Sequence, residues 1–461
     1  MKALKFKGVL QKDKWIKPAY VELDEQGKML SINKKKQEGI TYKSINGFAI
    51  PGLQNAHSHA FQYAMVGLTE YHDHKHTRDD FWGWRKAMYQ LALSINPDQM
   101  EAIATMLYAE MLRHGYTEVA EFHYVHHDLS GAHYSNKAEL GERLIAAAKK
   151  VGIKITLIPV FYQKGGFGQE ATAGQVRFLS QNMEAYLELL ESSKIAITHY
   201  DEASIGASVH SMRAVDPPII KEITRHINST MPFHMHISEQ LKEIEASIAY
   251  LGKRPVEWLT EEIDLDETYH LVHATHLTNQ ETKTLAHSKA NAVLCPSTEG
   301  NLGDGIFPLG LYQKEGGNWS IGTDSHIGIN PFEELRFLDY RQRVSTHQRN
   351  IFIGSEEFDS GLYALNKMVL NGRNAMGKTS DDFFEIGQSF DALVVDATVP
   401  VLANCSPKYL ASTIVYATDV SMYLGTIVNG EWLVKKGKHL EYKAINKLFS
   451  NCLKDLKNRV V

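Results

Sequence analysis

From residue 47 to residue 325 the chain alternates between short apolar runs and longer segments whose apolar residues recur with a helical period. This alternation is typical of repeated βα units, in which helices join parallel strands and cover the sheet. Each apolar run therefore predicts one strand. The eight predicted strands span residues 47–50, 117–123, 154–161, 204–210, 233–238, 269–275, 291–297 and 319–325.

Eight strands with a helix after each one predict an α/β fold of the (β/α)8 TIM-barrel type. An open, doubly wound parallel sheet would show the same alternation. The polar residues favour the barrel, because nearly every predicted strand ends in histidine, glutamate or aspartate. In a barrel these strand ends converge on one mouth, which is where the active site lies.

The two ends of the chain have a different pattern. Residues 1–46 alternate apolar and polar positions, and short strand-like runs with Gly and Asn-Gly turns recur at 384–397, 412–417 and 422–440. We expect both ends to form one small β-sandwich-like domain beside the barrel, with a C-terminal helix on the outside. The predicted division is a first part of the small domain at 1–46, a barrel domain at 47–376, and the rest of the small domain with the final helix at 377–461.

Composition narrows the setting in which the protein acts. The 461 residues carry a formal net charge of -5, which gives no electrostatic reason to expect nucleic acid or an anionic membrane as a partner. Three widely spaced cysteines fit a reducing compartment. The N-terminus has no signal-peptide pattern, and no run approaches the roughly 20 apolar residues of a membrane span. We expect a cytoplasmic protein, a small-molecule substrate and a homodimer.

The clearest chemical signal is the pair His57 and His59 directly after the first apolar run. Two imidazoles at i and i+2 of a strand project from one face and can reach a single ion. His236 on the fifth predicted strand and Asp324 at the end of the eighth are candidate partners. Three imidazoles and a carboxylate suit zinc, and they also suit iron or another divalent ion. Since the chain has 22 histidines, the shared strand-end position carries more weight than any one of them.

Two further residues lie where a hydrolytic metal site needs them. Glu239 follows His236 by three residues, which places a carboxylate close to the metal without making it a ligand. Such a group can take a proton from water and give it to a departing nitrogen. His273, at the end of the sixth predicted strand, could orient or polarise the substrate.

The order of these residues along the barrel resembles the amidohydrolase superfamily in its single-metal deaminase branch. The two-metal members use a bridging lysine, and the fourth predicted strand here, SIGASVH, contains none. Within that branch the chain is similar to the formimidoylglutamate deiminase family. The similarity rests on nine strings in order between residues 55 and 341: HSHAFQ, FWGWRKAMY, AEFHYVHHDL, GFGQ, VHSMRAV, HISEQ, LVHATH, STEGNLGDGIFPL and TDSHIGINPFEELR.

The resemblance implies hydrolysis of N-formimidoyl-L-glutamate to N-formyl-L-glutamate and ammonia, a step of histidine degradation. It implies zinc ligands at His57, His59, His236 and Asp324. It implies catalytic roles for Glu239 and His273, with Asp324 helping to take a proton from water. It implies substrate contacts at Gln62, Arg85, Tyr124, His210 and Arg213. One departure from the family wording is Tyr63, where a basic residue is expected at the rim of the pocket.

The residues themselves agree with a dicarboxylate substrate. Arg85 and Arg213 offer planar forks that can grip two carboxylates, and the aromatic residues around Arg85 suggest a lid over residues 66–90. Two other functions stay open. One is a related deaminase acting on a nucleobase or a triazine, which would have little use for two such arginines. The other is a non-catalytic barrel that serves as a scaffold, which predicts eroded metal ligands.

Overall fold

A closed parallel barrel forms the centre of the computed structural model, which describes residues 1–70, 81–227, 229–354 and 358–457. Its neighbouring strands follow one another in chain order. The first and last strands close the ring through a parallel bridge between Ser58 and Asp324, where the Asp324 amide donates to the His57 carbonyl at 3.0 Å. The eight strands are Leu53–Ser58, Tyr116–His123, Lys154–Phe161, Ala207–Ser211, Phe233–Ile237, Tyr269–His273, Asn291–Leu294 and Asn318–Ile321.

Burial explains why these segments are strands. Every residue of Tyr116–His123 and Lys154–Phe161 is buried, as expected for parallel strands covered on both faces. A short strand, Ala203–Ile205, extends the pairing of the third barrel strand. The helices of the layer around the barrel are Phe81–Ala92, Pro97–Arg113, Glu139–Val151, Met183–Ile197, Pro217–His226, Leu241–Leu251, Pro255–Glu262, Asn279–His287, Pro296–Asn301, Leu309–Lys314 and Pro331–Thr346.

The chain ends form two further sheets beside the barrel, as the pattern of residues predicts. Helices Ser360–Asn366, Pro400–Ala403 and Leu410–Ala417 accompany them, and Tyr442–Asp455 is the C-terminal helix. In the first sheet the order of strands is Met29–Asn33, Ala19–Leu23, Lys2–Phe6 and Lys43–Ser44. In the second it is Lys438–His439, Glu431–Lys435, Tyr423–Val428, Ala392–Asp396, Gly47–Pro51, Gly8–Leu10 and Trp15–Ile16.

Two predicted strands were wrong. Residues 47–50 belong to the second outer sheet, where Gly47–Pro51 pairs with Ala392–Asp396, and the first barrel strand is the next segment, Leu53–Ser58. Both segments are fully buried, so hydrophobicity alone does not separate them. Residues 412–417 lie in the helix Leu410–Ala417, whose apolar face packs on Ser360–Asn366. There tertiary packing overrides the strand preference of a β-branched sequence.

Within the described ranges, no helix combines the length and the apolar character that a membrane crossing requires.

Candidate active site

Four side chains meet at the mouth of the barrel: His57 and His59 at the end of the first barrel strand, His236 on the fifth, and Asp324 in the loop after the eighth. The Nε2 atom of His57 lies 3.1 Å from Nε2 of His59 and 3.1 Å from Nε2 of His236. Oδ1 of Asp324 lies 3.0 Å from Nε2 of His59 and 3.5 Å from that of His57. All four residues are buried, and their ligand atoms lie within 4.8 Å of one another.

The hydrogen bonds around this group show that it fits a cation. Nδ1 of His59 donates to the Phe122 carbonyl at 2.9 Å, and Nδ1 of His236 donates to the His210 carbonyl at 2.9 Å. In the neutral ring each of these bonds leaves a lone pair on Nε2, which points into the group. Lone pairs and a carboxylate oxygen so close together repel one another unless a positive ion lies between them. Nitrogen and oxygen donors at this spacing match the ligands of zinc and similar ions.

A buried glutamate that the sequence did not single out holds the first two histidines in place. Glu121 accepts hydrogen bonds from the Ser58 hydroxyl at 2.7 Å, the Ala60 amide at 2.6 Å and the Tyr108 hydroxyl at 3.1 Å. Ser58 and Ala60 flank His59, so this carboxylate fixes the backbone on both sides of a ligand. Burial raises the pKa of Glu121 to about 7, against the lowering effect of these donors.

Several backbone positions at the mouth lie in the left-handed region. Positive φ angles occur at Ser238 (52°), His273 (70°), Ala274 (47°) and Asp324 (48°). Non-glycine residues adopt this conformation at a cost, and such residues cluster at functional sites. Here the strained positions include or adjoin candidate functional residues at the ends of three barrel strands.

Glu239 and His273 lie beside the ligand group and face each other, with Oε1 of Glu239 3.8 Å from Nε2 of His273. Burial raises the pKa of Glu239 above its ordinary value, although His273 and Arg213 oppose the shift. Burial alone would lower the pKa of His273, but the carboxylates of Glu239, Glu299 and Asp324 outweigh it and raise that pKa to about 10. The two groups therefore form a close, buried pair next to the candidate ligands, in which the glutamate favours a proton on the imidazole.

The five residues expected to contact the substrate line one cavity with Glu239, His273 and three of the four candidate ligands. The Gln62 side-chain amide donates to the Tyr124 hydroxyl at 2.8 Å. The Arg85 guanidinium lies over the Trp82 ring, 4.2 Å from its centroid. Arg213 approaches Glu239, with Nη2 3.6 Å from Oε2. His210 completes the group as a side chain of the fourth barrel strand.

The structure thus brings together every site residue that the sequence predicts. It adds Glu121, and also Asp304, where burial and the nearby Glu239 raise the pKa to about 9. The available signal for Glu121 was weak, because it is one of two glutamates, with Glu118, in the same predicted strand. Among the described residues, Tyr63 is not part of the cavity lining. Its ring stacks on that of Phe449, with 5.6 Å between the ring centroids. The expected lid includes residues 71–80, which lie outside the described ranges.

Comparisons with known proteins agree with this geometry. A sequence model of the amidohydrolase family matches residues 48–433. The chain is 38% identical to formimidoylglutamate deiminase of Pseudomonas aeruginosa over 457 residues, 99% of this chain and 100% of the relative. It resembles the crystal structure of an amidohydrolase from Brucella melitensis with a TM-score of 0.93 and 36% identity, over 99% and 100% of the two chains.

A more distant structure shares the fold. An adenosine deaminase from Xanthomonas campestris, solved with bound zinc, gives a TM-score of 0.80 at 18% identity and covers 99% of this chain and 98% of its own. A closed barrel with a candidate metal site of histidine and aspartate at its mouth is typical of metal-dependent hydrolases. The chain belongs to the amidohydrolase family. It is accordingly a hydrolase of carbon–nitrogen bonds.

Proposed function

We propose that the protein hydrolyses N-formimidoyl-L-glutamate to N-formyl-L-glutamate and ammonia, as the name of its Pseudomonas aeruginosa relative indicates for that protein. One observation carries the proposal to this chain. Two guanidinium groups, those of Arg85 and Arg213, line the same cavity as the candidate metal ligands and Glu239. The proposed substrate has two carboxylates and one amidine, which are the groups that such a cavity can bind and hydrolyse.

We propose zinc as the ion, held by His57, His59, His236 and Asp324, with iron as the alternative. Zinc-bound structures of the same fold support this assignment. When bound, a divalent ion supplies a Lewis acid and lowers the pKa of a bound water molecule to about 7. The donor set of three imidazoles and one carboxylate is ordinary for such an ion.

The residues of the chain account for the remaining chemistry. Hydrolysis forms a bond from a water oxygen to the formimino carbon, breaks the bond from that carbon to the terminal nitrogen, and moves two protons to that nitrogen. Oε1 and Oε2 of Glu239 can accept a water proton and return it to the nitrogen, a role suited to a carboxyl group whose pKa is raised. Asp324 assists the first proton transfer. The protonated ring of His273 faces the same space and stabilises charge at the reacting centre.

The other residues that line the cavity orient the substrate. Arg85 is held over Trp82, so its planar fork is preorganised for a carboxylate. Arg213, which lines the same cavity, receives the second carboxylate. Gln62, Tyr124 and His210 offer an amide, a hydroxyl and an imidazole that can hydrogen-bond the substrate. This arrangement selects for two anionic ends, which nucleobases and triazines lack.

A substrate panel tests the proposal. Metal-loaded protein is incubated separately with N-formimidoyl-L-glutamate, guanine and cytosine, and ammonia release is measured in each. We expect ammonia from N-formimidoyl-L-glutamate only. Release from a nucleobase instead would reassign the cavity to another deaminase activity. No release from any of the three by protein that holds its metal would favour a scaffold role.

The proposal extends to the setting of the enzyme. We propose a cytoplasmic homodimer whose barrel domain begins after the outer-sheet strand Gly47–Pro51 and runs to residue 376. Light scattering on purified protein should give twice the mass of one chain. Fractionation of the native cells should recover the protein with the cytoplasm.

A further inference from the structure

A second buried glutamate lies directly behind the proposed proton carrier. Glu243 occupies the first turn of the helix Leu241–Leu251, and it is 1% exposed. Its Oε2 accepts a hydrogen bond from the Glu239 amide at 3.0 Å, and its Oε1 accepts one from the Ser238 amide at 3.3 Å. One carboxylate therefore binds two successive backbone amides of the segment that carries Glu239.

That segment needs such support. Ser238 has a φ of 52°, a conformation that serine adopts at a cost, and it lies between the strand Phe233–Ile237 and the helix. The residue before the helix, Gln240, makes no side-chain capping hydrogen bond. A glutamate at the third position of a helix ordinarily reaches back to the amide of the capping residue. Glu243 reaches further back, to the strained turn, and so holds the backbone that aims Glu239.

The same carboxylate also faces a cation of the site. Oε2 of Glu243 lies 4.0 Å from Nε of Arg213, while Nη2 of Arg213 lies 3.6 Å from Oε2 of Glu239. Burial disfavours the charge on Arg213, but the two glutamates outweigh burial and raise its pKa. The Nε atom has no hydrogen-bond partner among the described residues. Arg213 thus balances the charge of both glutamates while keeping a free donor.

We propose that Glu243 is a positioning residue, which fixes the carboxylate of Glu239 through the amides of residues 238 and 239 while Arg213 compensates its charge. Glu243 is not among the residues that line the cavity at the candidate ligands. This inference rests on the proposed function, because it assigns Glu243 to the same proton-transfer step. Glu239 carries the proton, and Glu243 then affects how well that proton reaches the leaving nitrogen.

Glu243→Gln tests the inference with little change in volume. The glutamine oxygen can accept from only one of the two amides, and its NH2 group meets the other. We expect kcat for N-formimidoyl-L-glutamate to fall about 10- to 100-fold, the usual effect of removing such a supporting contact, with KM and bound metal little changed. The matched control is Glu245→Gln, an exposed glutamate on the same helix, which should keep wild-type kcat.

A double variant separates positioning from a general structural role. If Glu243 acts through Glu239, adding Glu243→Gln to Glu239→Gln should change the residual rate by less than about twofold, because coupled residues are not additive. Full additivity of the two losses would overturn the inference, as would wild-type kcat in Glu243→Gln. Should that variant not fold, Glu243→Asp, which keeps the charge but shortens the reach to both amides, takes its place with the same expected and contradicting results.

The activity of the wild-type protein shows whether the proposed function or only the role of Glu243 is wrong. If it releases no ammonia from N-formimidoyl-L-glutamate, the proposed function is wrong. If wild-type protein and Glu245→Gln are active and Glu243→Gln is equally active, only the role of Glu243 is wrong.

Discussion

The two ends of the barrel both contain paired charges, but the mouth adds a crowded group of electron-pair donors. At the end where the strands begin, Nζ of Lys154 lies 2.7 Å from Asp391 and 3.5 Å from Glu202, and Lys378 pairs with Glu118. Each cation there meets anions. At the mouth, the ring nitrogens of three histidines and the carboxylate of Asp324 crowd together.

This difference separates stability from function. The ion pair of Lys154 and Asp391 joins the barrel to the outer sheet, because Asp391 immediately precedes the strand Ala392–Asp396. Electron-pair donors that crowd together destabilise the free protein, and so do backbone positions with positive φ angles. Both features are explained by a site that binds an ion and a substrate. Changes at the mouth should therefore remove activity and spare the fold, while changes at the opposite end should do the reverse.

The largest expected effect comes from removing the ion at the mouth. Treatment with a chelator should abolish ammonia release, because the crowded donors would then lack the Lewis acid that activates water. Adding zinc should restore ammonia release by the wild-type protein. It should not restore it in Asp324→Asn, which lacks the anionic ligand. Metal content and ammonia release are measured on the same samples. Turnover that persists in metal-free protein would contradict a catalytic role for the donor group at the mouth.

Glu239→Gln tests whether the candidate ligands and the proposed proton carrier have separate roles at the mouth. The variant keeps the four ligands, so its metal content should equal that of wild type. Its kcat should fall about 100- to 10,000-fold, the range that general acid and base catalysis provides. Metal analysis and ammonia release are the two measurements. A near-normal rate with full metal would mean that another group carries the proton.

Arg213→Lys tests how the mouth recognises anions. Lysine keeps the charge but loses the planar fork and the Nε donor, so kcat/KM for N-formimidoyl-L-glutamate should fall about 10- to 100-fold, the value of one or two charged hydrogen bonds. Steady-state kinetics provide the measurement. The control is Arg225→Lys on an exposed helix position, which should behave as wild type. Equal kinetics in both variants would place the substrate carboxylates elsewhere.

Substitutions at the opposite end of the barrel should change the stability of the protein and not its activity. Lys154→Met leaves Asp391 and Glu202 without their shared cation, and the free energy of unfolding should fall by about 3 kcal/mol, as when one partner of a buried ion pair is removed. The rate per folded molecule should stay at the wild-type value. Denaturant unfolding and kinetics are compared with Lys150→Met, an exposed lysine nearby. A large loss of kcat would contradict the separation of the two ends.

The sequence predicted the mouth better than its surroundings for physical reasons. Polar residues at the ends of apolar strands are conspicuous, so His57, His236 and Asp324 could be found without a structure. The first barrel strand was misplaced because two adjacent apolar segments, 47–51 and 53–58, are equally buried and differ only in their pairing partners.

Supporting residues were harder to predict. Glu121 and Glu243 act through hydrogen bonds to backbone amides. The Ala60 amide comes into reach of Glu121 only when the chain has folded, while Glu243 depends on the local turn after the fifth barrel strand. Spacing along the chain does suggest that Glu243 and Glu239 lie one helical turn apart. It does not show that the carboxylate turns back toward the strand. Such contacts depend on the path of the folded backbone, so in the sequence alone these glutamates are charged residues with no visible partner.

The most direct test of the account is to identify the products formed in water enriched in oxygen-18. Metal-loaded protein acting on N-formimidoyl-L-glutamate should yield ammonia and N-formyl-L-glutamate with one labelled oxygen in the formyl group, which mass spectrometry detects. That result would show water attacking the formimino carbon and the terminal nitrogen leaving. Formation of glutamate and formamide, or of unlabelled N-formyl-L-glutamate, would contradict it.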